Sequence, residues 1–212
     1  MRDLTRNRSG FIKDQRGTVV SFLLLIAPLL ILSIVFIIES SSTVEATDRD
    51  LQDAVSTAAR AAAHAVNPSS QAQGDPHIDA DKACMVFADI LKDNLGLDAS
   101  FEPLDGSGLA SPPDFILIVY NGQSLYGLPA QKTFSYWDGA YQEFESPGMG
   151  FPYPFAVSNT DLQPGTTGED RTVVLDSPGV VALLRCNTRP MVMAEGKTAT
   201  RWASAKVVFG GS

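Results

Sequence analysis

The chain has 212 residues, of which 44% are hydrophobic, and a net charge of −8. That length accommodates one membrane segment and one medium domain, and excludes two full domains with an anchor. Residues 1–38 hold Arg2, Arg6, Arg8, Lys13 and Arg16 against Asp3 and Asp14, a net +3, so residues 39–212 carry −11; a domain that acidic repels phosphate backbones, which excludes nucleic acid as a partner.

Residues 1–17 form a basic N-terminus that is expected in the cytoplasm. Residues 18–38 contain no charge, and the run Val19–Ile38 is twenty residues long, about 30 Å of helix at 1.5 Å per residue. The composition predicts a transmembrane helix, since backbone groups in lipid must bond within their own segment. Pro28 is expected to kink it. Basic residues before the run, with Glu39 and Glu45 after it, orient the N-terminus inward and residues 39–212 outward. This predicts a single-pass protein of the cell membrane with the lipid bilayer as a partner. A cleaved secretory signal ending near Ser40–Ser42 is the main alternative, although the run exceeds the usual signal core and no A-x-A pattern follows. A buried core helix would need a much larger domain around it.

Residues 39–66 continue as a predicted extracytoplasmic extension of the same helix, free of Gly and Pro until Asn67-Pro68. Val44, Leu51, Val55, Ala58, Ala62 and Ala65 recur at the spacing of one helix face. That face is expected either to pack on its own domain or to form an assembly seam with other subunits. Asp48, Asp50 and Asp53 read as a solvated face.

Residues 67–212 are predicted to be an α+β domain. The polar loop 67–75 ends the first helix. A second helix runs from about Asp79 to Leu95, with Asp79 or Asp81 as N-cap and Gly96 just past its end. Phe115–Tyr120 is a short β-rich run followed by Asn121-Gly122, a turn dipeptide. Residues 127–169, rich in Gly, Pro and aromatics, read as a long ordered loop, with Tyr136–Phe155 as a candidate ligand surface. Three strands then follow at 171–175, at 180–186 with an extension through Met193, and at 198–209. The fold expected is a long N-terminal transmembrane helix continuing into an Ala-rich helix, then a second helix packed on a small antiparallel sheet.

Residues that could carry chemistry are few. Cys84 and Cys186 have no metal-ligand spacing. They could pair and close a loop of about 100 residues, which the chain-entropy model values at roughly 4–5 kcal/mol, or they could be two buried thiols. His64 and His77 lack any metal-binding motif. Asp75, Asp79 and Asp81 lack the Ca²⁺-loop pattern, and helix capping accounts for two of them. Gly106-Ser107-Gly108 reads as loop. Glu143 and Glu145 among aromatics could form a hydrolytic or carbohydrate-binding pair, with Trp137 completing a pocket. No nucleotide, nucleophile-elbow or cofactor motif is present, so neither a cofactor nor an enzymatic activity is expected.

The stretch Asp14-Gln-Arg-Gly17-Thr-Val-Val-Ser-Phe-Leu-Leu-Leu-Ile-Ala-Pro28, followed by Gln52-Asp-Ala-Val-Ser-Thr-Ala-Ala-Arg-Ala-Ala-Ala63, resembles the N-terminus of TadE/TadG-like proteins. These are pseudopilins or assembly components of Tad-type pili. The resemblance covers residues 14–66. It implies a membrane-anchored structural or assembly subunit whose N-terminal helix contacts other pilus subunits, and a prepilin-type cleavage point after Gly17. In the family's processed members the fifth residue after that glycine is Glu. Here it is Phe22, which fits an uncleaved, membrane-retained subunit better.

Overall fold

In the computed structural model the described residues are 15–168, 171–189 and 197–208, with the side chains of 15–19, 21 and 36–48 excepted. The chain divides into two units, Met1–Glu45 and Ala46–Ser212. Helix α1, Gln15–Ala63, contributes residues to both.

The first unit corrects an expectation. Among the described residues, no helix is long and apolar enough to cross a membrane. The predicted transmembrane helix is therefore not a feature of the described fold.

The second unit begins with the Ala-rich end of α1. Helix α2 (Pro68–Ala72) follows, capped by Asn67, whose Oδ1 accepts from Ser69 N and Ser70 N. Helix α3 (Ala80–Leu95) is capped by the Asp79 carboxylate, which accepts from Lys82 N at 3.2 Å, and closed by Gly96 in the left-handed conformation. Eight strands complete the unit: β1 Asp114–Tyr120, β2 Gln131–Trp137, β3 Ala140–Ser146, β4 Tyr153–Val157, β5 Leu162–Pro164, β6 Thr172–Leu175, β7 Gly179–Asn187 and β8 Thr198–Lys206.

These strands form two antiparallel sheets, ordered β3-β2-β1-β7-β8 and β5-β4-β6. The expected single small sheet is thus replaced by two. Strand alternation explains the layering. On β1 and β7, Phe115, Leu117, Val119, Val180, Ala182 and Leu184 share a core with the Ala-rich end of α1 and with α3. The intervening Ile118, Tyr120, Val181 and Leu183 pack against Phe155, Val157, Val173 and Leu175 of the smaller sheet. A sheet buried on both faces needs continuous apolar runs rather than alternation, which Phe115–Tyr120 and Val180–Leu184 supply.

The predicted loop 127–169 is instead four strands. The hairpin turn between β2 and β3 is Asp138-Gly139, both with positive φ (50° and 77°), directly between the paired Trp137 and Ala140. That is the signature of the two-residue turn that Asp-Gly favours. Asn121-Gly122, predicted to be a turn dipeptide, makes a different connection: Asn121 is 1% exposed and bonds back to Ile78.

Candidate functional site

Several predicted sites are redistributed. Leu51, Val55, Ala58, Ala62 and Ala65 are all buried in the domain's own core. They are not available as an assembly seam, because α1 turns this face into the core that it shares with α3, β1 and β7. The Val44 side chain lies outside those described. Gly17 falls in the first turn of α1, and Phe22 is exposed.

Cys84 and Cys186 are both buried and free, so the candidate disulfide gives way to two core thiols. Burial pushes the Cys186 thiol up to about 12, and the Asp114 carboxylate adds to the shift. Burial likewise raises Cys84, whose Sγ lies 3.7 Å from the Tyr141 hydroxyl. Thiols that resist ionisation are poor nucleophiles. His64 is exposed where α1 ends. His77 is buried, with Nδ1 3.0 Å from the Asp75 carbonyl and its ring edge-on to Tyr126.

Glu143 and Glu145 do not form a pocket with Trp137. Both lean toward Lys132, at 3.5 and 4.0 Å, and Lys132 donates to Asp81 at 2.7 Å. Asp81 first, then Glu143, hold its ammonium above the ordinary lysine range. Trp137 is odd in register where Lys132, Phe134 and Tyr136 are even, so it faces the other side of the sheet. There the Arg185 guanidinium sits 4.0 Å from its ring centroid. The aromatics predicted to form a ligand surface are largely structural. Tyr136 stacks with Phe101 and Phe115, and Tyr153 stacks on Tyr120 at 4.5 Å. Tyr141 and Phe144, on β3, remain exposed.

The feature that sequence reading missed is a cavity of about 780 Å³ at the outer edge of β8. Its walls include Arg49 and Gln52 of α1, Arg171 just before β6, and Thr200, Arg201 and Trp202 of β8. Arg201 and Trp202 are successive strand residues, so they point to opposite faces and the cavity wraps the strand's edge. Gln52 Nε2 donates to the Trp202 carbonyl at 3.2 Å, which seats α1 on this edge. Arg49 lies three residues earlier, on the same side of the helix. Arg171 lies 5.7 Å over the Trp202 ring, and its carbonyl accepts from Val157 N at 3.0 Å. Thr200 Oγ1 donates to the Asn159 carbonyl at 3.1 Å, and Arg201 Nη1 donates to the Thr200 carbonyl at 2.5 Å. Arg49 and Arg171 are 122 residues apart and Arg171 and Arg201 thirty, so no local motif could have revealed them. No family model, no curated protein and no solved structure matches this chain.

Proposed function

We propose that this protein is a non-enzymatic structural or assembly subunit of a Tad-like pilus or related secretion apparatus. It is held at the cell membrane by the apolar first half of α1, with its acidic domain on the extracytoplasmic side. One observation carries the reading. Val20, Phe22–Leu25, Leu29–Leu32, Ile34 and Val35 are each 46–72% exposed. At about 25 cal/mol per Å², leaving such a surface in water is costly. An apolar phase, supplied by lipid with neighbouring subunit helices, removes that cost. The resemblance of residues 14–66 to TadE/TadG-like proteins supports the same reading.

The domain's role in this account is to contact partner subunits, with the exposed edge strand β3 and its Tyr141 and Phe144 as surface available to them. A second reading, a membrane-tethered binding module, draws on the arginine-lined cavity. The test is fractionation of the full chain in its native cell, followed by mass spectrometry of its N-terminus. Retention in the membrane pellet after alkaline carbonate, with an intact start, is the expected result. A start at Thr18 would indicate prepilin processing. Recovery of the unprocessed chain in the soluble fraction without detergent would remove the membrane reading.

A further inference from the structure

We infer that β3 is a docking edge for an extended segment of another protein, which adds a strand carrying basic and apolar residues in alternation. The inference rests on the reading of the domain as a surface for partner subunits, and it names the mode and chemistry of that contact. It starts from the backbone. β3 is an outer strand of the larger sheet and pairs with β2 without a break from Ala140 to Ser146. A strand paired on one side turns half of its N–H and C=O groups toward its neighbour and half away. Among the described residues nothing bonds to the outward half on β3. The other edge of the same sheet is met by α1, whose Gln52 donates to the Trp202 carbonyl of β8 at 3.2 Å. An open edge is a template for pairing, and outer strands are commonly blunted by lysine, proline or a bulge. β3 has none of these.

Charge selects the occupant. Strand alternation puts Tyr141, Glu143 and Glu145 on the face that meets α3, and Gln142 and Phe144 on the other. Glu143, Glu145 and Asp81 of α3 are exposed around the buried Lys132, whose ammonium lies 2.7–4.0 Å from them. Three carboxylates against one ammonium leave two negative charges at the lip of the strand. A strand laid antiparallel along β3 sets alternate side chains directly opposite these glutamates, with Cβ atoms about 4.5–5.5 Å apart. Lysine or arginine at two such positions answers Glu143 and Glu145. The apolar residue between them falls on the other face, beside the exposed Phe144. A second copy of β3 does not fit. A two-fold axis normal to the sheet sets odd-numbered residues opposite odd-numbered ones, which lines four glutamates along one face.

The probe is a labelled synthetic peptide, acetyl-Thr-Lys-Val-Lys-Val-Lys-Thr-amide. It is titrated by fluorescence anisotropy against the full chain in nonionic detergent at low ionic strength. Saturable binding is expected, and Glu143→Gln combined with Glu145→Gln should weaken it at least fivefold. Asp176→Asn, beside Lys206 of β8, should leave the affinity unchanged. A second readout uses N-methylation. A strand added to an edge donates only alternate N–H groups to it. Methylating the valine amides or the lysine amides should therefore abolish binding in one case and spare it in the other. The methylated pair is read on the unmodified chain, so it stands whether or not the glutamate variant folds. No saturable binding, an equal effect of both methylations, or an equal loss in Asp176→Asn overturns the inference. So does concentration-dependent hydrogen-exchange protection of β3 without peptide, which makes the occupant a second copy. None of these results depends on whether the chain stays in the membrane pellet, so the two readings fail separately.

Discussion

Asn121 clasps the backbone of Ile78 from both sides: its Oδ1 accepts from Ile78 N at 2.8 Å and its Nδ2 donates to Ile78 O at 2.9 Å. The side-chain amide thereby imitates a neighbouring strand. It fixes the segment between α2 and α3 to the end of β1, 43 residues away in sequence. Nδ2 also donates to Pro129 O at 3.2 Å, and Asn121 N donates to Ala130 O at 2.7 Å. Asn121→Ala should therefore strand two buried backbone groups of Ile78 and lower stability by about 2–4 kcal/mol. Urea denaturation with an unchanged m-value checks this. Asn121→Asp should be comparably damaging, because a carboxylate cannot donate to the Ile78 carbonyl.

The Ala-rich face of α1 makes an opposite prediction from an assembly seam. Ala58 and Ala62 are fully buried, so Ala62→Leu should overpack the domain core and cost about 1–3 kcal/mol. A thermal melt of the domain registers this in the isolated chain. An unchanged melting temperature combined with lost assembly would restore the seam.

The thiols set a pH dependence. The Cys186 thiol is raised in the fold to about 12 from 9.0. A group whose folded pKa is raised binds its proton more tightly when folded. Its stabilising contribution is complete below the unfolded pKa and is lost as pH climbs toward the folded one. Cys84 and Lys132 shift in the same direction. Stability should hold up to about pH 9 and then fall, with Cys186 contributing up to about 1.4 kcal/mol per pH unit. Cys186→Ala should flatten that slope. In the native protein at pH 8 both thiols should resist Ellman's reagent, and both should react after unfolding in guanidinium. No thiol titre after unfolding would mean a disulfide.

Asp114 and Arg185 face each other in register across β1 and β7, bonded at 2.8 Å through Nε and 2.5 Å through Nη2. The pair is half-sheltered, and Arg185 is also held over the Trp137 ring. A double-mutant cycle with Asp114→Ala and Arg185→Met should give a coupling of about 1–3 kcal/mol, beyond the range of exposed ion pairs.

Periodicity made α3, β1, β7 and the Ala-rich end of α1 legible in the sequence, because apolar spacing reports which side of an element meets a core. The cap at Asp79 and the stop at Gly96 were legible for the same local reason. Residues 127–169 were not. Gly and Pro punctuate strands as readily as loops there, and the informative turn was Asp138-Gly139 rather than Asn121-Gly122. The cavity arginines lie on three separate elements, and nothing local relates them.

The sequence by itself determined where charge and grease lie: a charge-free N-terminal run, an acidic remainder, and helices with one apolar face. Only tertiary structure decided what those faces meet. A helical stripe specifies that something must cover it, but the cover is a long-range choice made by whichever surface fits. Here burial in one core with α3, β1 and β7 gave α1's stripe to its own domain, and Gln52, bonded to the Trp202 carbonyl, places Arg49 at the cavity wall.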